Sequence, residues 1–390
     1  MEGWGGVQIL FDDDVYDVST LFVEEEFMLL VNLAVACADE ILEQYPYESP
    51  RPRAPRITRV RYNFRESIQD PMELFRFSAQ QIKKIARAMA EPRMHRTHLR
   101  DSFTLVEGLC VLCRRLCYPA RWNDLCGLFG RSKSQLSRIF HYMLDMMLRK
   151  YVHLLQFNVG RITNKLREWA AAVSEACPNT YNTVVLFLDG THRRTCRPRP
   201  ATAVLPPGVT MNDIQQSQYD GRLHKHGHKY HALVSPVGLI VHAYGPVDGR
   251  RHDTTILRQS GLAESMNDLS VGGVDYVIYA DSAYALTRNL QKPIHRPVPG
   301  TPDARLNTIM ARARTVASEC GYNCVTNTWQ TIDFVRQQKM FWTRPADMYL
   351  VAILLTNMRL CLRGHNQMSE FFNLSGTCPT LENYLSGNWY

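Results

Sequence analysis

Val184-Val185-Leu186-Phe187-Leu188-Asp189-Gly190-Thr191 is an unbroken apolar run that ends in an acid and a turn-forming pair. A short run without apolar/polar alternation reads as a strand buried on both faces, the kind that lies inside a sheet covered by helices. The pattern recurs at Tyr276-Val277-Ile278-Tyr279-Ala280-Asp281. Between the two, Lys229 to Ser235 and Leu239 to Gly245 flank Pro236-Val237-Gly238, which reads as a hairpin. After them, Leu306 to Cys320 and Phe334 to Arg363 carry helical periodicity. Strand, hairpin, strand and then helices predict an α/β fold, a ribonuclease-H-like mixed sheet with flanking helices.

The sequence before the first strand predicts an all-helical region. Residues 17 to 44 form an amphipathic helix, and Pro46 to Arg65 follows with four prolines and six arginines. Such a stretch is extended, either a solvated tether or an arm along phosphates. Ser78 can cap a helix running to Met89, and Thr104 with Glu107 has capping-box spacing. Trp122 to Phe129 reads as a short helix, Gly130 as its stop, and Ser132 as the start of another. That is the helix-turn-helix arrangement, with Ser134, Gln135 and Arg138 as the residues that would read DNA; a plain helical hairpin has the same pattern. Val152 to Glu175 is also read as helical. The expected division is 1–66 (helix and basic linker), 67–176 (helical DNA-binding region) and 177–390 (catalytic domain).

With 390 residues, 45% hydrophobic and 21% charged, the chain has the composition of a globular protein, and its net charge of +8 favours a polyanionic partner. The N-terminus lacks a basic segment followed by an apolar one, and no apolar run approaches the roughly 18 to 20 residues of a membrane helix, so neither export nor a membrane is expected. Eleven cysteines are then read as reduced thiols. Cys110, Cys113 and Cys117 share a helical face and lack a second zinc knuckle, which favours core packing over zinc. His224, His226, His228 and His231 are read as a cationic or hydrogen-bonding surface near nucleic acid.

Acids at the ends of neighbouring strands, with a third on a helix, are how a fold gathers hard oxygen ligands for two divalent ions that cleave a phosphodiester. Asp189 and Asp281 fill the strand positions and Glu319 the helical one. A single strand-end Asp is usually a turn former and a helical Glu usually solvated. Asp253, in Gly249-Arg250-Arg251-His252-Asp253, competes for the third place, although it also suits the start of the helix at Thr254.

Phe187-Leu188-Asp189-Gly190-Thr191-His192, Gly245-Pro246-Val247-Asp248-Gly249-Arg250-Arg251-His252-Asp253 with Leu257-Arg258-Gln259-Ser260-Gly261, Tyr279-Ala280-Asp281-Ser282-Ala283-Tyr284 and the closing Leu381-Glu382-Asn383-Tyr384-Leu385 together resemble the DDE endonuclease domain of Harbinger-type (PIF/Harbinger) transposases. The resemblance runs from about 181 to 386. It implies a metal-dependent DNA endonuclease with a carboxylate triad on Asp189, Asp281 and Glu319 and two divalent cations, Mg²⁺ or Mn²⁺. It also implies strand transfer by the freed 3′-hydroxyl, a Myb-like DNA-binding partner, a homo-oligomer, and a place in the nucleus, with the cytoplasm as a second location. The family's Val/Ile-Glu-x-x-Phe-Gly stretch reads here Ala317-Ser318-Glu319-Cys320-Gly321-Tyr322-Asn323, with Asn where Gly is usual. That departure suits the alternative, a domesticated, catalytically silent DNA-binding or protein-interaction factor. Arg250 and Arg251, with Arg193, Arg194, Arg197 and Arg199, are candidates for the phosphate backbone.

Overall fold

The helices of the N-terminal half begin on side chains that satisfy their first free N–H groups. The structure, a computed structural model, describes residues 70–178, 183–199, 205, 208–284 and 286–390. The helix expected at 17–44 and the Pro/Arg-rich linker lie outside the described residues. Ser78 and Gln81 form a capping box that opens α1 (Ala79–Ala88), which ends at Met89. Thr104 accepts the Glu107 N–H at 3.1 Å and opens α2 (Leu105–Cys117). Cys110, Cys113 and Cys117 are buried in its core face, where burial raises their thiol pKa values. α3 (Trp122–Phe129) stops at Gly130, whose φ of +60° is the left-handed conformation that favours glycine. Ser132 and Gln135 then cap α4 (Lys133–Tyr151), which buries Leu136, Ile139, Phe140, Met143 and Leu144. The helix expected over Val152 to Glu175 is shorter: Val152–Leu155, Val159–Arg161 and Thr163–Lys165 are single 3₁₀ turns, and α5 (Leu166–Ala176) follows. Asn158 interrupts it, its side chain accepting the Gly160 N–H at 2.9 Å in a turn that competes with helix.

The sheet is mixed. Its strands are β1 (Val184–Arg194), β2 (Lys225–Val234), β3 (Ile240–Asp248), β4 (Val277–Ala280) and β5 (Leu290–Gln291). They lie in the spatial order β5-β4-β1-β2-β3, and Tyr219–Asp220 pairs with the start of β2. β2 is antiparallel to β1 and β3, whereas β4 is parallel to β1 and β5 parallel to β4. The turn expected after Asp189 is absent. β1 continues to Arg194, because β2 is long enough to go on pairing with it as far as Gly227. The two chains pass so closely there that a Cβ on Gly227 would lie 2.2 Å from the Arg193 carbonyl oxygen.

Helices cover the sheet and tie it to the N-terminal half. They are α6 (Asp253–Gln259), α7 (Pro302–Ser318), α8 (Pro345–Arg363) and α9 (Leu381–Ser386). The helix expected from Phe334 begins only at Pro345. Val335–Gln337 and Met340–Thr343 are separate short turns, and Arg344 breaks the path at φ +51°. Proline suits the first position of a helix and disfavours helix at the residue before it. α8, 19 residues long, is apolar and long enough to cross a membrane by length and composition, yet most of it is buried inside the protein. On one side Asn357 bonds both backbone groups of Ile240 in β3, at 3.0 and 2.8 Å. On the other, Arg344 at its start pairs with Asp145 of α4 at 2.6 Å. The segment before it completes the tie: Thr331 donates to the Arg115 carbonyl at 2.7 Å and Gln337 to that of Pro119 at 2.8 Å.

Candidate active site

The parallel register pairs Leu188 with Ala280, so Asp189 and Asp281, the next residues, stand side by side where β1 and β4 part. Adjacent strands run about 5 Å apart, which brings the two carboxylates within each other's field. Asp189 accepts the Gly190 N–H at 2.9 Å and has the Ser318 side chain close enough to favour its charged form, while its carbonyl accepts from Tyr322. Burial pushes the Asp189 carboxyl up, the Asp281 charge adds to this, and the Ser318 side chain, the Gly190 N–H and the nearby Arg314 only partly offset it. Asp281 accepts the Ser282 N–H at 2.6 Å and forms an ion pair with Arg314. Burial acts on Asp281 as well, but Ser282 and Arg314 outweigh it and the carboxyl is held below its usual range.

Glu319 is exposed, whereas Met310, Ala313 and Ala317 of α7 are buried. At about 100° per residue, a position two beyond Ala317 points away from the face that Ala317 presents to the core, while Arg314 and Ser318 flank that face. Glu319 opens a π-helical turn, Glu319–Asn323, that buries Cys320, Gly321 and Tyr322. A Cβ on Gly321 would lie 2.6 Å from Val234 Cγ2, so the turn rests directly on β2. The structure brings Asp253 towards the pair instead. It opens α6, half-buried, its carboxyl raised by burial and by Asp281 against the pull of Lys229. A Cβ on Gly190 would sit 3.4 Å from both Asp253 Oδ1 and Tyr284 Oη. Tyr284 is 1% exposed, its hydroxyl has no hydrogen-bond partner among the described residues, and all three aspartates raise its pKa further after burial. Carboxylates and an unpaired phenol are chemically suited to a hard cation, but alternation along β1 turns the Asp189 side chain to the face opposite the one that Gly190 presents to Asp253 and Tyr284. As placed, among the described residues, no three His, Cys, Asp or Glu side chains converge on one point, and the cation on Asp281 is a guanidinium.

The other sequence candidates are spread more widely. Arg250 is exposed after β3, and Arg251 is half-buried with its carbonyl accepting from Lys229 Nζ at 2.6 Å. Ser134 is exposed at the start of α4, Gln135 is engaged in capping, and Arg138 grips Asp101 through Nε and Nη2 at 2.5 and 3.1 Å. The histidines form the expected surface only in part: His224 is exposed and His226 half-buried. His228 and His231 are buried, and desolvation lowers both pKa values, that of His228 to about 4. His231 instead meets His242 at 3.3 Å between their Nε2 atoms.

Sequence reasoning passed over Arg314, Ser318, Tyr284 and Tyr322. For the first two a signal existed: their spacing of four places them on one side of α7, which the inward Met310, Ala313 and Ala317 could have oriented. Comparison of the chain with curated proteins and with solved structures gives no match. Residues 188–357 match the family model described as DDE superfamily endonuclease. That segment holds Asp189, Asp253, Asp281 and Arg314, and in it the chain is similar to the DDE superfamily endonucleases.

Proposed function

We propose that this protein is a transposase-type DNA nuclease, of the Harbinger kind, that hydrolyses phosphodiester bonds at Asp189 and Asp281 with a divalent cation, Mg²⁺ or Mn²⁺. The observation that carries the reading is the register that sets these two acids side by side within the matched segment. The strand order, with β1 to β3 antiparallel and β4 and β5 parallel to β1, supports a ribonuclease-H-like sheet. Asp189 and Asp281 would hold the cation, with Glu319 or Asp253 as the third acid. When bound, divalent ions acidify the attacking water and take up charge on the leaving oxygen. The Gly190 N–H and the Ser318 side chain favour the charged form of the Asp189 carboxylate. Water adds to phosphorus as the bond to the 3′-oxygen breaks, leaving a 3′-hydroxyl that strand transfer would use. The pair formed by α3 and α4, Arg250 and Arg251 would hold the duplex. A Myb-like partner, a homo-oligomer and a nuclear setting belong to the same reading.

A second reading, a silent DNA-binding factor that retains the fold, is favoured by the Arg314 ion pair on Asp281 and by the outward Glu319. Incubation of supercoiled plasmid with the protein and Mn²⁺ separates the two. Nicking that vanishes in both Asp189→Asn and Asp281→Asn, with DNA binding retained, supports the nuclease. Binding without metal-dependent nicking in the wild type supports the silent factor.

A further inference from the structure

We infer that Arg314 is a positioning residue that couples DNA binding to cation binding: it neutralises Asp281 in the free protein and transfers to a DNA phosphate when the substrate arrives. The inference rests on the nuclease reading and adds an order of events to it. Arg314 lies one turn before Ser318 on α7, so one helix face addresses both strand-end acids, Arg314 on Asp281 and Ser318 on Asp189. The pair is not locked away from solvent: the Arg314 side chain is 32% exposed and that of Asp281 39%. An ion pair this open is worth at most about 1 kcal/mol, so a competing anion can take the guanidinium. A phosphate is a suitable competitor, because its oxygens match the planar fork of arginine donors in pairs.

While Arg314 stays on Asp281, a divalent cation approaching that carboxylate meets a positive charge already in contact with it. Removal of the guanidinium to a phosphate restores the full negative charge of the Asp189, Asp253 and Asp281 group. Coupling between two binding sites is reciprocal, so a cation that takes Asp281 also frees Arg314 for DNA. The unliganded protein therefore binds a divalent ion poorly, and the duplex prepares the site.

The test is Mn²⁺ binding to the full chain, read from the electron paramagnetic resonance signal of free Mn²⁺, with and without a short DNA duplex. Wild type, Arg314→Gln, Arg314→Lys and Asp281→Asn are compared, with Arg312→Gln as an exposed-arginine control on the same helix and circular dichroism to verify folding. DNA should tighten Mn²⁺ binding to the wild type by roughly five-fold, the factor that about 1 kcal/mol gives. Arg314→Gln should bind Mn²⁺ that tightly without DNA and gain nothing further from it, while losing affinity for the duplex. Arg314→Lys should keep part of the coupling and Arg312→Gln all of it. If Arg314→Gln matches the wild type in Mn²⁺ affinity and in its response to DNA while Asp281→Asn abolishes binding, the coupling role is wrong and the nuclease reading stands. If no variant binds Mn²⁺ with or without DNA, both fall.

Discussion

Arg138 offers the clearest separation between a DNA-reading side chain and a structural one. It sits on the second helix of the helix-turn-helix pattern, yet its guanidinium is committed to Asp101 in a two-point contact, with Thr97 donating to the same carboxylate at 2.9 Å. The Asp101 side chain is only 7% exposed, so solvent cannot replace the arginine. The hydrogen bond from Arg138 is the main cause that pushes the Asp101 carboxyl down from 3.8 to about 2, against burial, with Thr97 and Gln135 assisting. At about 1.4 kcal/mol per pKa unit, that depression is linked to roughly 2 kcal/mol of folding stability. Because the folded-state value is the lower one, this stability is fully present above about pH 4 and is lost as the pH falls towards 2. Urea unfolding of wild type, Arg138→Gln, Asp101→Asn and the double variant should give a coupling of about 2 kcal/mol at neutral pH that shrinks towards zero in acid. Equal unfolding midpoints for wild type and Arg138→Gln, together with a loss of DNA affinity in the variant, would refute the structural role and return Arg138 to the DNA.

Three further outcomes follow from the same reasoning. Burial raises the Asp248 carboxyl to about 6, against Arg251, Arg250 and the Gln218 side chain, so the folded state binds its proton more tightly than the unfolded one. Asp248→Asn should therefore be more stable than wild type by about 3 kcal/mol at pH 8 and lack the stability that wild type loses between about pH 4 and 6; equal melting temperatures at pH 8 would contradict this. Gly227→Ala should destabilise by about 1–3 kcal/mol or more in urea unfolding, since its Cβ would meet the backbone of β1 rather than a movable side chain, and an unchanged midpoint would show that the two strands lie further apart. In the plasmid-nicking assay one of Asp253→Asn and Glu319→Gln should lose far more activity than the other and so mark the third acid, and full activity in both would leave Asp189 and Asp281 to hold the cation alone.

The two halves of the site differ in how far the sequence reveals them. Asp189 and Asp281 are legible because each ends an uninterrupted apolar run, a local pattern that reports burial on both faces of a strand. Their adjacency is not local, since it depends on β4 pairing with β1 rather than on anything within either run. Glu319 shows the converse limit. Motif spacing locates it on a helix but carries no rotational phase, and a residue two positions from the buried Ala317 points outward. His228 and His231 mislead for a related reason: alternation puts 224, 226 and 228 on one strand face and 231 on the other but leaves open whether either face meets solvent or helices. Helix starts were the most legible feature, because Ser78, Thr104 and Ser132 act through hydrogen bonds within three residues.

The bridging position of α8 and the segment before it also bears on how the chain is made. The contact of Thr331 with Arg115 joins residues 216 positions apart. At a synthesis rate of about 5–20 residues per second, the Arg115 carbonyl near the end of α2 waits on the order of 10–40 s for the segment that bonds it. During that interval the nascent helical half lacks the partners that the later segment supplies, so the demand for chaperone protection extends over the stretch of translation in which the sheet with its acids emerges.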